Sequence, residues 1–171
     1  MTVNESVART AAEQVDELYR VHAVGLIRAA LLLTGDRASA EDVVQDAFCG
    51  LYRRWDHLDD TGKALGYLRV AVMNGCRTLL RARRRAALFG VQHDPPVWSA
   101  ESAMLAGQDQ RDVLAAVARL PRRQRQILVL RFYLDLPEDE IAASLRVSRS
   151  TVASTTSRAL VRLARDLKEA Q

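Results

Sequence analysis

Asp42, Gln45 and Asp46 sit at spacings of three and one in the stretch SAEDVVQDAFCGLYRRW, residues 39–55, with Arg53 two helical turns beyond. On a helix these four share one face. Their chemistry is that of a contact surface: carboxylates, an amide and a guanidinium group offer charge-assisted hydrogen bonds to a partner. A second set, Asn74, Arg77, Arg81 and Arg84, recurs at helical spacing with no acid between Thr61 and Arg85, which suits a phosphate backbone. A third, Arg149, Ser150, Thr151, Ser154 and Arg158, mixes hydroxyls and guanidinium groups that reach phosphates and base edges. None of the sets pairs a nucleophile with a base. The three histidines, His22, His57 and His93, are scattered, and the two cysteines, Cys49 and Cys76, have no metal-binding spacing and read as buried thiols. No catalytic residue, metal or cofactor is expected.

Charge is segregated along the chain. The formal net charge of +4 divides into −5 for residues 1–60, +7 for 61–85, −3 for 86–110 and +5 for 111–171. Two basic blocks separated from acidic ones imply two surfaces for nucleic acid and another for a different partner. With 171 residues and 49% hydrophobic content, the chain can bury one core or two small ones. No apolar run is long enough for a membrane span, and the first twenty residues lack the pattern of a signal peptide. A cytoplasmic protein without membrane insertion is expected.

The elements that must position these sets are helices. Apolar residues Val15, Leu18, Tyr19, Leu26, Ala30 and Leu33 give a first helix over about residues 12–33, stopped at Thr34-Gly35-Asp36. Ser39 with Asp42 resembles a capping box and opens a second helix reaching Trp55. YLRVAVMNGCRTLLRARRR, residues 67–85, forms the third. Periodicity then fades around Pro95-Pro96, marking a linker. Four short helices follow from Asp109, the last two forming a helix-turn-helix in which Ala142 fits the crossing and Val147 fills the turn. The expected fold is all-α: a domain over 12–86, a linker over 87–108, and a helix-turn-helix domain over 109–169.

Winding each helix assigns its faces. In the second, Val44, Ala47, Phe48, Leu51 and Trp55 point inward, opposite Asp42, Gln45, Asp46, Cys49 and Arg53. In the third, Leu68, Ala71, Val72, Gly75 and Leu79 oppose Val70, Asn74, Arg77, Arg81 and Arg84. In the last, Val152, Thr156, Ala159 and Leu163 point inward, leaving Ser150, Thr151, Ser154, Ser157, Arg158 and Arg165 outside. A dipole-complementing helix end explains Arg83 to Arg85 but not Asn74 or Arg77. The basic stripe is expected to lack an intramolecular partner. An acidic stripe would repel phosphate, so the second helix is expected to face a protein.

AEDVVQDAF, the basic third helix, the linker and the C-terminal helix-turn-helix together resemble the extracytoplasmic-function type of bacterial RNA polymerase sigma factor, over roughly residues 15–168. The resemblance implies that Asp42, Gln45, Asp46 and Arg53 dock on the clamp helices of the polymerase largest subunit. It implies that the loop from His57 to Gly66, with Asn74, Arg77, Arg81 and Arg84, opens promoter DNA at the −10 element. The −35 element falls to Arg149, Ser150, Thr151, Ser154 and Arg158. Core RNA polymerase and promoter DNA are the implied partners, and an anti-sigma factor is a candidate third. Several positions depart from the family pattern: Tyr67 replaces a common Trp, Arg146 stands where Gly is common, and STVASTT carries Ala153 and Thr155 in place of cations. Thr156 brings a hydroxyl inward, which the Val152 carbonyl can accept.

Two other functions compete with this reading. A stand-alone helix-turn-helix regulator would bind duplex DNA unaided and tolerate charge reversal at Asp42 or Asp46. A nucleic-acid enzyme would need a metal cluster, paired carboxylates or a phosphate loop, none of which the sequence supplies.

Overall fold

The computed structural model describes residues 10–58, 60–90 and 108–169. Among these, each regular element is helical. The linker expected around Pro95-Pro96 lies outside the described residues.

Helix α1, Ala11–Thr34, starts where Thr10 and Glu13 cap each other: the Thr10 N–H donates to the Glu13 carboxylate at 2.8 Å, and the Glu13 N–H to the Thr10 hydroxyl at 3.3 Å. It ends at Gly35, whose φ of 85° is the left-handed cap that glycine adopts without a Cβ clash. Helix α2, Arg37–Arg54, begins three residues earlier than a Ser39 cap would set it. Its cap is the Asp36 carboxylate, which accepts the Ser39 N–H at 2.8 Å, so Ser39 is the third helical residue and Asp42 is no capping partner. With only Gly35 and Asp36 between the helices, the chain turns at once, and the acid already in place satisfies the free N–H groups. Two short 3₁₀ turns, Trp55–His57 and Thr61–Lys63, lead to α3, Ala64–Leu88.

Leu26, Ala30, Val44, Phe48, Leu51, Trp55, Leu68 and Val72 close the core of this three-helix unit. A fully buried Leu such as Leu51 or Leu68 contributes roughly 2 kcal/mol by leaving water. The expected inward face of α2 is thus observed, whereas that of α3 is rotated. Leu68, Val72, Met73 and Cys76 are buried, while Ala71, Gly75 and Leu79 lie on the flank towards α2. The rotation reflects more than one neighbour: α3 packs on both α1 and α2, and Met73, Cys76 and Leu80 also face Leu130 and Leu145 of the C-terminal domain. At Gly75 a Cβ would come within 2.8 Å of the Val43 Cγ1. That glycine lets α2 and α3 approach.

The C-terminal domain contains α4, Gln108–Arg119, and α5, Arg122–Leu128, which widens into a π turn over Val129–Tyr133. Helices α6, Glu138–Leu145, and α7, Arg149–Lys168, complete it. Leu114, Val117, Leu120, Ile127, Leu130, Leu134, Ile141, Val152 and Ala159 form its interior. The two domains pack in a closed arrangement: their interiors join in one apolar cluster, and α1 and the π turn are in contact. Arg69 of α3 also reaches Asp135 at 3.4 Å. Asp135 is 74% exposed, so this bridge adds little to the apolar contact.

Candidate interaction surfaces

The stripe on α2 is presented as its spacing requires. Asp42, Gln45, Asp46 and Arg53 are all exposed, and among the described residues none of the four forms an ion pair. Grooves flank it on both sides. Towards α3, Asp42, Asp46 and Arg53 border a depression of about 630 Å³ that also contains Tyr67 and Gly50. Towards α1 lies an apolar cleft of about 370 Å³ formed by Val15, Tyr19, Phe48 and Tyr52, with Gln45 and Arg53 at its edge. The Tyr19 and Phe48 rings meet edge to face with centroids 5.0 Å apart. Tyr19 and Tyr52 were not among the expected contact residues. Their half-exposed rings place apolar surface beside the polar stripe, a combination of the kind found at protein interfaces. Cys49, expected to be a buried thiol, is exposed on the same stripe because it follows Asp46 by three residues. Cys76 is buried, and burial pushes its thiol up to about 12, so it stays unreactive.

The basic stripe of α3 is only partly free. Contrary to expectation, three cations of the acid-free segment 61–85 find partners within the chain: Lys63 lies 3.9 Å from Asp60, Arg69 meets Asp135, and Arg83 is tied to the α1–α2 junction. Arg83 donates to the Thr34 carbonyl at 2.9 Å, the Asp36 carboxylate at 2.5 Å and the Ser39 hydroxyl at 2.7 Å. Asp36 and Asp135 are distant in sequence and Asp60 lies just before the basic segment, so a scan of residues 61–85 alone misses them. Partial burial pushes the Asp36 carboxyl up, but the hydrogen bonds from Ser39 and Arg83 and the Arg83 charge outweigh it and hold it below the ordinary carboxylate value. Removing the pair should be felt in stability. Arg83→Ala is expected to cost about 2 kcal/mol in urea denaturation, because the charged Asp36 is left half-buried without its cation. The pH dependence has a definite sign: a depressed carboxyl stabilises above its unfolded value and loses that contribution as pH falls through the folded one. The gap between wild type and Arg83→Ala therefore narrows in acid below the ordinary carboxylate range. A gap constant from neutral pH down to pH ~2 would contradict this linkage.

Asn74, Arg81 and Arg84 are exposed, and Arg77 is half-buried. Arg77, Arg81 and Arg84 do not look out freely: they line a cleft opposite Arg122, Arg123 and Arg146 of the C-terminal domain. Sequence reading missed those three C-terminal arginines. PRRQRQ signalled only the start of a helix, and the cleft joins positions far apart in the chain. In the loop before α3, Asp60 accepts the Gly62 N–H at 2.8 Å, leaving His57, Thr61 and Lys63 exposed.

Helices α6 and α7 form the helix-turn-helix. Ala142 is buried at the crossing, Val147 packs on the core, and the Ser148 hydroxyl caps α7 by accepting the Thr151 N–H at 3.1 Å. Arg149, Ser150, Ser154 and Arg158 are exposed, and Thr151 is half-buried. The buried seam is Val152, Thr155 and Ala159, so Thr155 faces inward rather than standing in for an outward cation. Thr156 lies on the flank and donates to the Val152 carbonyl at 2.9 Å. Arg158 lies back along its helix, donating to the Ser154 carbonyl and Thr155 hydroxyl at 3.3 Å each. The exposed face at the start of α7 is thus rich in hydroxyls, with guanidinium groups at either end.

Comparison with known proteins decides what this set of surfaces belongs to. Residues 18–86 match the family described as Sigma-70 region 2, and residues 110–163 match Sigma-70, region 4. An RNA polymerase sigma-E factor of Streptomyces coelicolor is 33% identical over 158 residues, covering 90% of this chain and 86% of that protein. The chain belongs to the extracytoplasmic-function sigma factors of the sigma-70 family. Another relative, the ECF RNA polymerase sigma factor SigL of Mycobacterium tuberculosis, is 32% identical over 143 residues, or 80% of this chain and 79% of that one. Among solved structures, CnrH in complex with the cytosolic domain of CnrY shares 25% identity at a TM-score of 0.54, covering 94% of this chain and 96% of that one. The sigma factor RpoE of Bartonella quintana, in complex with the anti-sigma factor NepR, has the same fold at a TM-score of 0.62 and 24% identity, over 90% of this chain and 95% of that one. Sigma factors of this type initiate transcription. Here region 2 coincides with α1–α3 and region 4 with α4–α7.

Proposed function

We propose that this sigma factor docks on core RNA polymerase through Asp42, Gln45, Asp46 and Arg53, with Tyr19 and Tyr52 at the edge of the contact. The observation that carries this reading is the exposed stripe itself, beside an apolar cleft, with two carboxylates that have no ion pair among the described residues. Asn74, Arg77, Arg81 and Arg84 act on the −10 element with the loop before α3. Arg149, Ser150, Thr151, Ser154 and Arg158 read the −35 element. The functional units are residues 12–86 and 109–169, joined by 87–108. Since Arg77, Arg81 and Arg84 face the C-terminal domain in the closed arrangement, the domains part when the −10 element binds. Two DNA contacts held at a fixed separation by the polymerase then raise each other's effective concentration.

The factor carries no reaction chemistry of its own; the polymerase performs the phosphoryl transfer. It works in the cytoplasm, and among the described residues no helix is long and apolar enough to cross a membrane. The solved relatives in complex with an anti-sigma factor and with CnrY support a protein partner that holds this chain out of use.

Transcription in vitro tests the reading. Core polymerase supplied with this chain and genomic DNA is expected to start transcripts at positions where core alone starts none, and sequencing their 5′ ends identifies the promoters. No new start sites, combined with specific duplex binding by the free chain, would overturn it in favour of a stand-alone regulator.

A further inference from the structure

We propose that the arginine-lined cleft between α3 and the C-terminal domain binds a chain of linked phosphates, supplied as inorganic polyphosphate or as the phosphate chain of a nucleotide. Arg77, Arg81 and Arg84 enter from one domain, and Arg122, Arg123 and Arg146 from the other, around a cavity of about 360 Å³. The remaining lining groups are neutral, so among the described residues no acid balances these six cations within the cleft. Bringing the domains together therefore gathers like charges, and a multivalent anion lying between them converts repulsion into bridging.

The geometry favours phosphate. Guanidinium forks match phosphate oxygens, and so many in a small volume call for a ligand with several charges along a short chain, which separate carboxylates do not provide. The groups are also held in place. Arg123 donates to the Leu145 carbonyl at 3.0 Å, and Arg146 occupies the helix-turn-helix turn with φ 55°. Burial, and then the charges of Arg81 and Arg146, lower the Arg77 pKa, in keeping with excess positive charge there. The site goes beyond the promoter function. Because it uses Arg77, Arg81 and Arg84, its ligand favours the closed form and opposes engagement of the −10 element.

Isothermal titration of the full chain with inorganic tripolyphosphate provides the test, with orthophosphate and magnesium-free ATP as further arms. Saturable one-to-one binding is expected, at least about tenfold tighter than orthophosphate, as the number of phosphates engaged requires. Arg122→Ala/Arg146→Gly on one side and Arg84→Ala on the other should each weaken it about tenfold. Glycine suits the left-handed turn, so the first variant keeps the fold. Arg119→Ala/Arg162→Ala removes the same charge elsewhere and should change affinity by less than about twofold. Tighter binding of ATP assigns a nucleotide source, and equal or weaker binding an inorganic one. Absence of saturable binding, or equal losses from the cleft and control pairs, would overturn the site. Co-elution of Arg122→Ala/Arg146→Gly with core polymerase is read separately, so failure of the anion site and failure of the sigma function remain distinguishable.

Discussion

Asp46→Arg is expected to lower affinity for core RNA polymerase by about 3 kcal/mol, on the order of a hundredfold, while leaving helix content and the thermal midpoint unchanged. The size follows from what reversal does at a docking surface. It removes a carboxylate that accepts from a partner's cation and sets a cation in its place, which costs more than truncation. The absence of a folding effect follows from the position: Asp46 is exposed and has no ion pair among the described residues. Asp46→Asn keeps the shape and loses only the charge, so its effect should be smaller. Titration against purified core enzyme, with circular dichroism as the folding control, checks both. Unchanged affinity would remove the α2 stripe from the interface.

Arg77→Ala/Arg81→Ala should have the opposite signature. Polymerase binding is retained, because α3's cationic side is distinct from the α2 stripe, but heparin-resistant open complexes are lost. Extruding a base costs a few kcal/mol, which phosphate contacts and stacking must offset. Loss of two phosphate contacts should also make the salt dependence of DNA binding shallower by about two, in slope of log affinity against log salt. The variant should fold at least as well as the wild type, since Arg77 is opposed by Arg81 and Arg146. In this it contrasts with Arg83→Ala, on the same helix, whose defect is in stability. Normal promoter melting by the double variant would contradict the assignment.

What the sequence revealed and what it hid follows from the range of the interactions. The faces of α2 were legible, because one helix packed on one side shows its period directly, and Trp55 was rightly placed inside. So was the helix-turn-helix, including the Thr156 hydroxyl that bonds the Val152 carbonyl. Errors arose where a second neighbour or a distant residue intervened. The seam of α3 is rotated because the helix packs on α1 as well as α2, Arg83 is neutralised by Asp36 across 47 residues, and Thr155 turns inward. The start of α2 was misplaced because Ser39 and Asp42 suggest a cap, whereas Asp36, immediately after the glycine stop, supplies it. The six-arginine cleft was invisible for the same reason as the Arg83 network. Local spacing cannot tell which basic segments the fold brings together.

Polymerase binding is the step on which the rest depends. The most direct measurement is co-elution of the purified chain with bacterial core RNA polymerase, repeated with a housekeeping sigma factor as competitor. A sigma factor docking through the α2 stripe forms a one-to-one complex that the competitor displaces. A folded chain, free of any bound partner, that fails to co-elute, or one whose binding the competitor does not disturb, would contradict that function.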